Sequence, residues 1–63
     1  MMDRKEMLML EDLENARKYS LKHGTVWAAS NGNEIIWSDS RSQVNRPGFW
    51  ICSIFEAGHR VEA

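Results

Sequence analysis

Residues 25–38, TVWAASNGNEIIWS, decide the fold of this chain. Asn31-Gly32 is the strongest short-range hairpin signal, because a tight primed turn needs positive φ at its centre. Pairing 25–30 with 33–38 around that turn sets Val26, Ala28, Ile35 and Trp37 on one face. Trp27, Ala29 and Ile36 fall on the other, with Trp27 and Ile36 as cross-strand neighbours. A register centred on Gly32-Asn33 changes the pairs but leaves both faces apolar. Strands that are apolar on both sides are normally covered on both sides.

A third run, residues 49–55, repeats the pattern. Strict alternation places Phe49, Ile51 and Phe55 on one side and Trp50, Cys52 and Ile54 on the other. Between the hairpin and this run lies a polar connection, residues 39–48, that ends in the turn signal Pro47-Gly48 and is long for a hairpin. Beyond Gly58, residues 60–62 add a short fourth strand or trail off.

Upstream, Met9, Leu10, Leu13, Ala16 and Ser20 recur at helical spacing, flanked by Tyr19 and Leu21. Asp3 and Glu6 resemble a capping box. Acidic residues fill the first half of the segment and Arg17, Lys18, Lys22 and His23 the second, which complements the helix dipole. Glu14 and Lys18 make a favourable i,i+4 pair, and Gly24 is placed to stop the helix. The spacing predicts a helix over about 4–23, docked by Leu10 and Leu13, with Met7 and Leu8 off the buried stripe. The expected architecture is α+β and α-β-β-β: one domain, residues 1–63, with the helix packed on a three-stranded antiparallel meander.

A chain of 63 residues hides only about 60% of its unfolded surface. Such domains usually add disulfides, a metal or oligomerisation. One cysteine excludes an internal disulfide, and Cys52, His23 and His59 lack the spacing of a zinc site. No metal or cofactor is expected. Homodimerisation, a protein target, or both would cover the surplus sheet face.

Eight basic residues against nine acidic ones argue against bulk electrostatic capture of nucleic acid or membranes. The lone cysteine and the absence of a signal-like apolar segment at the N-terminus point to the cytoplasm. No apolar run reaches the length of a membrane span.

Partner binding is expected of the sheet tryptophans and their surroundings, Trp27, Ile36 and Trp50, since tryptophan is enriched at interface hot spots. Arg41 and Arg46 in the 39–48 loop could add polar contacts, although a solvated connection is the commoner role for such a loop. Arg17, Lys18, Lys22, Arg41 and Arg46 with the sheet tryptophans would resemble a stacking platform for single-stranded nucleic acid. No nucleic-acid motif accompanies them. Cys52 sits mid-strand, where cysteine behaves as a small buried hydrophobe, and nothing in the spacing requires His59 to touch it. Catalytic residues are therefore not expected.

The functional expectation is a small non-catalytic protein-binding module, an inhibitor or modulator of a larger protein. Short accessory chains of phages and mobile elements supply that expectation from size alone. The alternative is a small nucleic-acid-binding regulator using the five cations named above.

Overall fold

A single glycine turns the helix into the sheet. In the computed structural model, which describes residues 4–62, α1 runs Arg4–His23 and β1 Thr25–Ser30. Gly24 takes φ +90°, a left-handed conformation open to glycine, and its N–H closes the last helical turn on the Ser20 carbonyl at 3.0 Å. The chain thus reverses, and α1 lies back along the strand that follows it. The capping pair expected of Asp3 and the Glu6 side chain lies outside the described residues.

The face that α1 turns to the sheet is made of small side chains. Ala16 and Ser20 are fully buried, and Ala16 packs into a cluster with Val26, Ala28 and Phe55. Leu13, Tyr19, Ile35, Trp37 and Cys52 border that cluster, half-buried. Alanine and serine let the helix approach closely, so larger side chains pack around the contact. Leu10, expected beside Leu13, is instead 50% exposed. At 100° per residue it lies some 60° round the helix from Leu13, which carries it off the sheet and onto a flank.

The sheet has four antiparallel strands, with β2 Ile35–Ser38, β3 Trp50–Glu56 and β4 His59–Glu62 joining β1. The α+β class and the helix-on-sheet packing hold. The strand order is β2-β1-β3-β4, so β1 is central and the sheet is not a simple meander. β2 and β3 each pair antiparallel with β1 and are therefore parallel to each other. A connection between parallel strands must travel back the length of the sheet. That is why residues 39–49 are so many for a turn.

This crossover contains a short helix, α2 (Arg41–Val44), where the sequence suggested only a loop. α2 packs on β1 and β2. Val44 is 2% exposed and Ala29 is fully buried, yet neither belongs to the cluster under α1. Ala29 pairs with Ile36 and Ile51, on the face opposite α1. The crossover therefore passes over the second apolar face, where α2 carries the buried Val44 onto β1 and β2. The expectation of a bare second face gives way to one that the chain itself partly covers; Trp27, Ile36, Ile51 and Ile54 remain half-buried on it.

Two irregularities break the strict alternation. Ala28 pairs with Ser53 but Ala29 with Ile51, so Cys52 is an extra residue in β3. Such a bulge reverses the faces of everything beyond it. Trp50 consequently pairs with Ser30 and shares the helix side of the sheet with Ser53 and Phe55, while Ile51 and Ile54 share the crossover side. The second irregularity, between Ile54 and Phe55, lies in the β3–β4 pairing.

The first hairpin keeps its predicted faces with a shifted register. Ser30 pairs with Ile35, leaving residues 31–34 as the loop. Trp27 pairs with Ser38 and Ile36 with Ala29, so Trp27 and Ile36 share a face without being direct partners. A shift of two residues preserves the faces because the side-chain period is two.

Candidate protein-binding site

Side-chain hydrogen bonds build the turn at one end of the molecule. Asn31 Oδ1 accepts the N–H groups of Asn33 at 2.9 Å and Glu34 at 3.0 Å, and Ser30 Oγ accepts the N–H of Gly32 at 3.0 Å. An Asx turn of this kind substitutes for ladder bonds, and it explains why four residues fill the loop rather than two. Trp50, paired with Ser30, stands beside this turn: its Cη2 lies 3.8 Å from where a Cβ on Gly32 would sit. The indole is 55% exposed.

The same turn borders a groove. Asn33 and Glu34 face Arg4, Leu8, Met9 and Asp12 of α1 across an open concavity of about 390 Å³. Met9 is half-buried and Leu8 is 52% exposed. The turn therefore carries an exposed indole against Gly32 and, at Asn33 and Glu34, borders a groove that holds an exposed leucine and both signs of charge. Apolar anchors surrounded by polar groups are the usual anatomy of a protein-recognition patch.

The residues singled out from sequence are dispersed. Trp27 and Ile36 are half-buried on the crossover side, whereas the bulge puts Trp50 on the helix side. Arg41 lies on α2 and Arg46 two residues beyond it, both exposed. Arg17, Lys18 and Lys22 belong to α1, across the sheet. The five cations are thus split between the two faces rather than gathered into a patch. Arg17 is also engaged: its guanidinium holds Glu14 in an i,i+3 ion pair, and Nη1 donates to the Gly58 carbonyl at 3.3 Å. Those bonds hold the Glu14 carboxyl below the usual carboxylate range. The ion pair the structure shows is Glu14–Arg17, in place of the expected Glu14–Lys18.

Cys52 is half-buried, and loss of solvation pushes its thiol above the usual range against weaker opposing effects of its hydrogen bonds and Arg60. His59 pairs with Glu56, four residues along β3 from Cys52 and so about 13 Å away at the usual rise per residue. No nucleophile–base pair is formed there. Among the described residues, no three His, Cys, Asp or Glu side chains are grouped as metal ligands, and no helix is long and apolar enough to cross a membrane.

One aromatic cluster escaped the sequence reading. Tyr19 stacks on His23 with ring centroids 3.9 Å apart and meets Trp37 at 5.2 Å. The Tyr19 hydroxyl points to the Asp39 carboxylate at 3.5 Å. Tyr19 and His23 are one helical turn apart, a spacing that could have signalled the stack. Its link to Trp37 depends on how α1 lies across the sheet. The cluster fastens the helix to β2 and the start of the crossover.

No protein-family model, curated protein or solved structure matches this chain.

Proposed function

We propose that this protein is a small non-catalytic binding module that docks on a larger protein through its turn end, with Trp50 as the anchor, and so modulates that protein. The observation that supports this reading is the 55% exposed indole of Trp50, held against the turn at Gly32. Complete burial of an aromatic side chain removes about 150–250 Å² from water, of which docking the 55% exposed Trp50 would remove roughly half, and truncating a central anchor costs about 2 kcal/mol or more of binding. The half-buried Cys52 stands apart from His59, which favours a binding role over cysteine chemistry. The division of the cations between two faces weakens the nucleic-acid alternative, which needs them along one track.

The test is affinity capture from the native host with tagged wild-type protein, Trp50→Ala, and Arg41→Ala/Arg46→Ala, each first shown to be folded. A stoichiometric protein partner should be retained by the wild type and the double arginine variant and lost with Trp50→Ala. Retention by Trp50→Ala together with loss in the arginine variant would overturn the reading. So would recovery of nucleic acid in a form released steeply by salt.

A further inference from the structure

The sequence of α1 between Leu10 and Leu21 is symmetric about its midpoint. Leu10, Glu14, Arg17 and Leu21 are spaced four, three and four residues apart, so the pattern reads apolar, acidic, basic, apolar from one end. From the other end the two charges exchange and the leucines remain. Spacings of three and four keep all of them on one flank of a helix. Arg17 and Leu21 identify that flank, because both reach Gly58 in the β3–β4 turn. Leu10 is 50% and Leu21 60% exposed, and the side chains of Arg17 and Glu14 are 37% and 48% exposed.

We infer that this flank is a self-association surface and that its occupant is the same flank of a second copy, packed antiparallel about a two-fold axis between residues 15 and 16. Under that symmetry Leu10 meets the second copy's Leu21, and Glu14 meets its Arg17. The two internal ion pairs close into a ring of four alternating charges. An isologous interface requires a patch complementary to itself, and a helix acidic in its first half and basic in its second meets that requirement only when antiparallel. The surface is centred on the Glu14–Arg17 pair rather than on the Trp50 indole, and it goes beyond the function proposed above.

Sedimentation equilibrium at micromolar concentration tests it, with circular dichroism confirming the fold of each variant. The wild type should be a dimer of the 7.3 kDa chain, and more weakly so at high salt. Glu14→Arg alone and Arg17→Glu alone should each weaken the dimer about tenfold or more, because like charges then face each other twice. The double exchange Glu14→Arg/Arg17→Glu should restore it. Leu10→Lys, at an exposed site, should give a folded monomer, and Trp50→Ala should leave the dimer intact. A monomeric wild type, a dimer indifferent to Leu10→Lys, or failure of the double exchange to restore association would overturn the inference. Loss of the dimer in Trp50→Ala would instead place self-association at the turn end.

Discussion

The Ser20 hydroxyl accepts the backbone N–H of Gly58 at 2.8 Å and donates to the Arg17 carbonyl, joining α1 to the β3–β4 turn across 38 residues. Ser20 is fully buried. Ser20→Ala should therefore leave the Gly58 donor buried without its partner, at a cost of about 1–3 kcal/mol. Urea unfolding should show a lower midpoint with an unchanged slope. An unchanged midpoint would mean that water reaches the Gly58 N–H.

The turn that this bond holds contains a weak point. Ala57 at φ +50° and Gly58 at φ +83° are the two residues between Glu56 and His59, the positive-φ pair a type I′ hairpin needs. Alanine is strained there, whereas asparagine tolerates the left-handed region. Ala57→Asn, at an exposed position, should stabilise the protein by about 0.5–1 kcal/mol, and a domain of this size shifts its melting point by about 4–8 °C per kcal/mol. Gly58→Ala should do the reverse. Its Cβ would overlap Leu21 Cδ2 and Cγ at an unfavourable φ. Adding Leu21→Ala should recover the steric part of that loss and leave the backbone part.

Val44 measures how much the crossover contributes. It is among the largest fully buried side chains described, with 2% of its surface exposed. Val44→Ala should cost about 2 kcal/mol through lost burial and a cavity beneath α2. Arg41→Ala/Arg46→Ala, in the same segment but exposed, should stay within about 0.5 kcal/mol per substitution. Equal thermal melts for the two variants would mean that the segment covers nothing.

Cys52 gives a pH dependence of known sign. Burial raises its thiol pKa in the folded state above the unfolded value. Folding then favours the neutral thiol, a contribution fully present below the unfolded pKa and lost as pH rises from there through the folded pKa. Stability should decline across the alkaline thiol range, and Cys52→Ser should flatten that part of the curve. Thiol labelling of the native protein at mildly alkaline pH should be slower than labelling after denaturation. Equal rates would refute the burial effect.

The helix was legible in the sequence because its signals are local: the stripe through Leu13, Ala16 and Ser20, the charge order, and the stop at Gly24. The two faces of β1 and β2 were legible for the same reason, and they survived a register error because the error was an even number of residues. The sheet order was not. Whether β3 pairs with β2 or β1 depends on which edge of the hairpin it reaches, and no local signal near Phe49 records that choice. Only the excess length of 39–49 hinted at a crossover, with Val44 its one buried apolar side chain. The bulge at Cys52 was equally silent, so Trp50 and Ile51 were assigned to the wrong faces. At the candidate site, Trp50 was identified from sequence while its neighbours were not, because the groove exists only once the 31–34 turn meets α1.

The central position of β1 has a consequence for the order of events in folding. α1, β1 and β2 are consecutive and need only a glycine and a four-residue loop between them, so residues 4–38 assemble through near-neighbour contacts. β3 must instead find β1 across residues 39–49, and closing a longer loop is the slower step. Stopped-flow tryptophan fluorescence should show Val44→Ala slowing that closure if the lid forms with it, and leaving the folding rate unchanged if the lid settles afterwards. Until β3 arrives, β1 presents a bare row of backbone donors and acceptors that any neighbouring chain could pair with. The length of the crossover thus sets how long the nascent sheet stays open to completion by the wrong molecule.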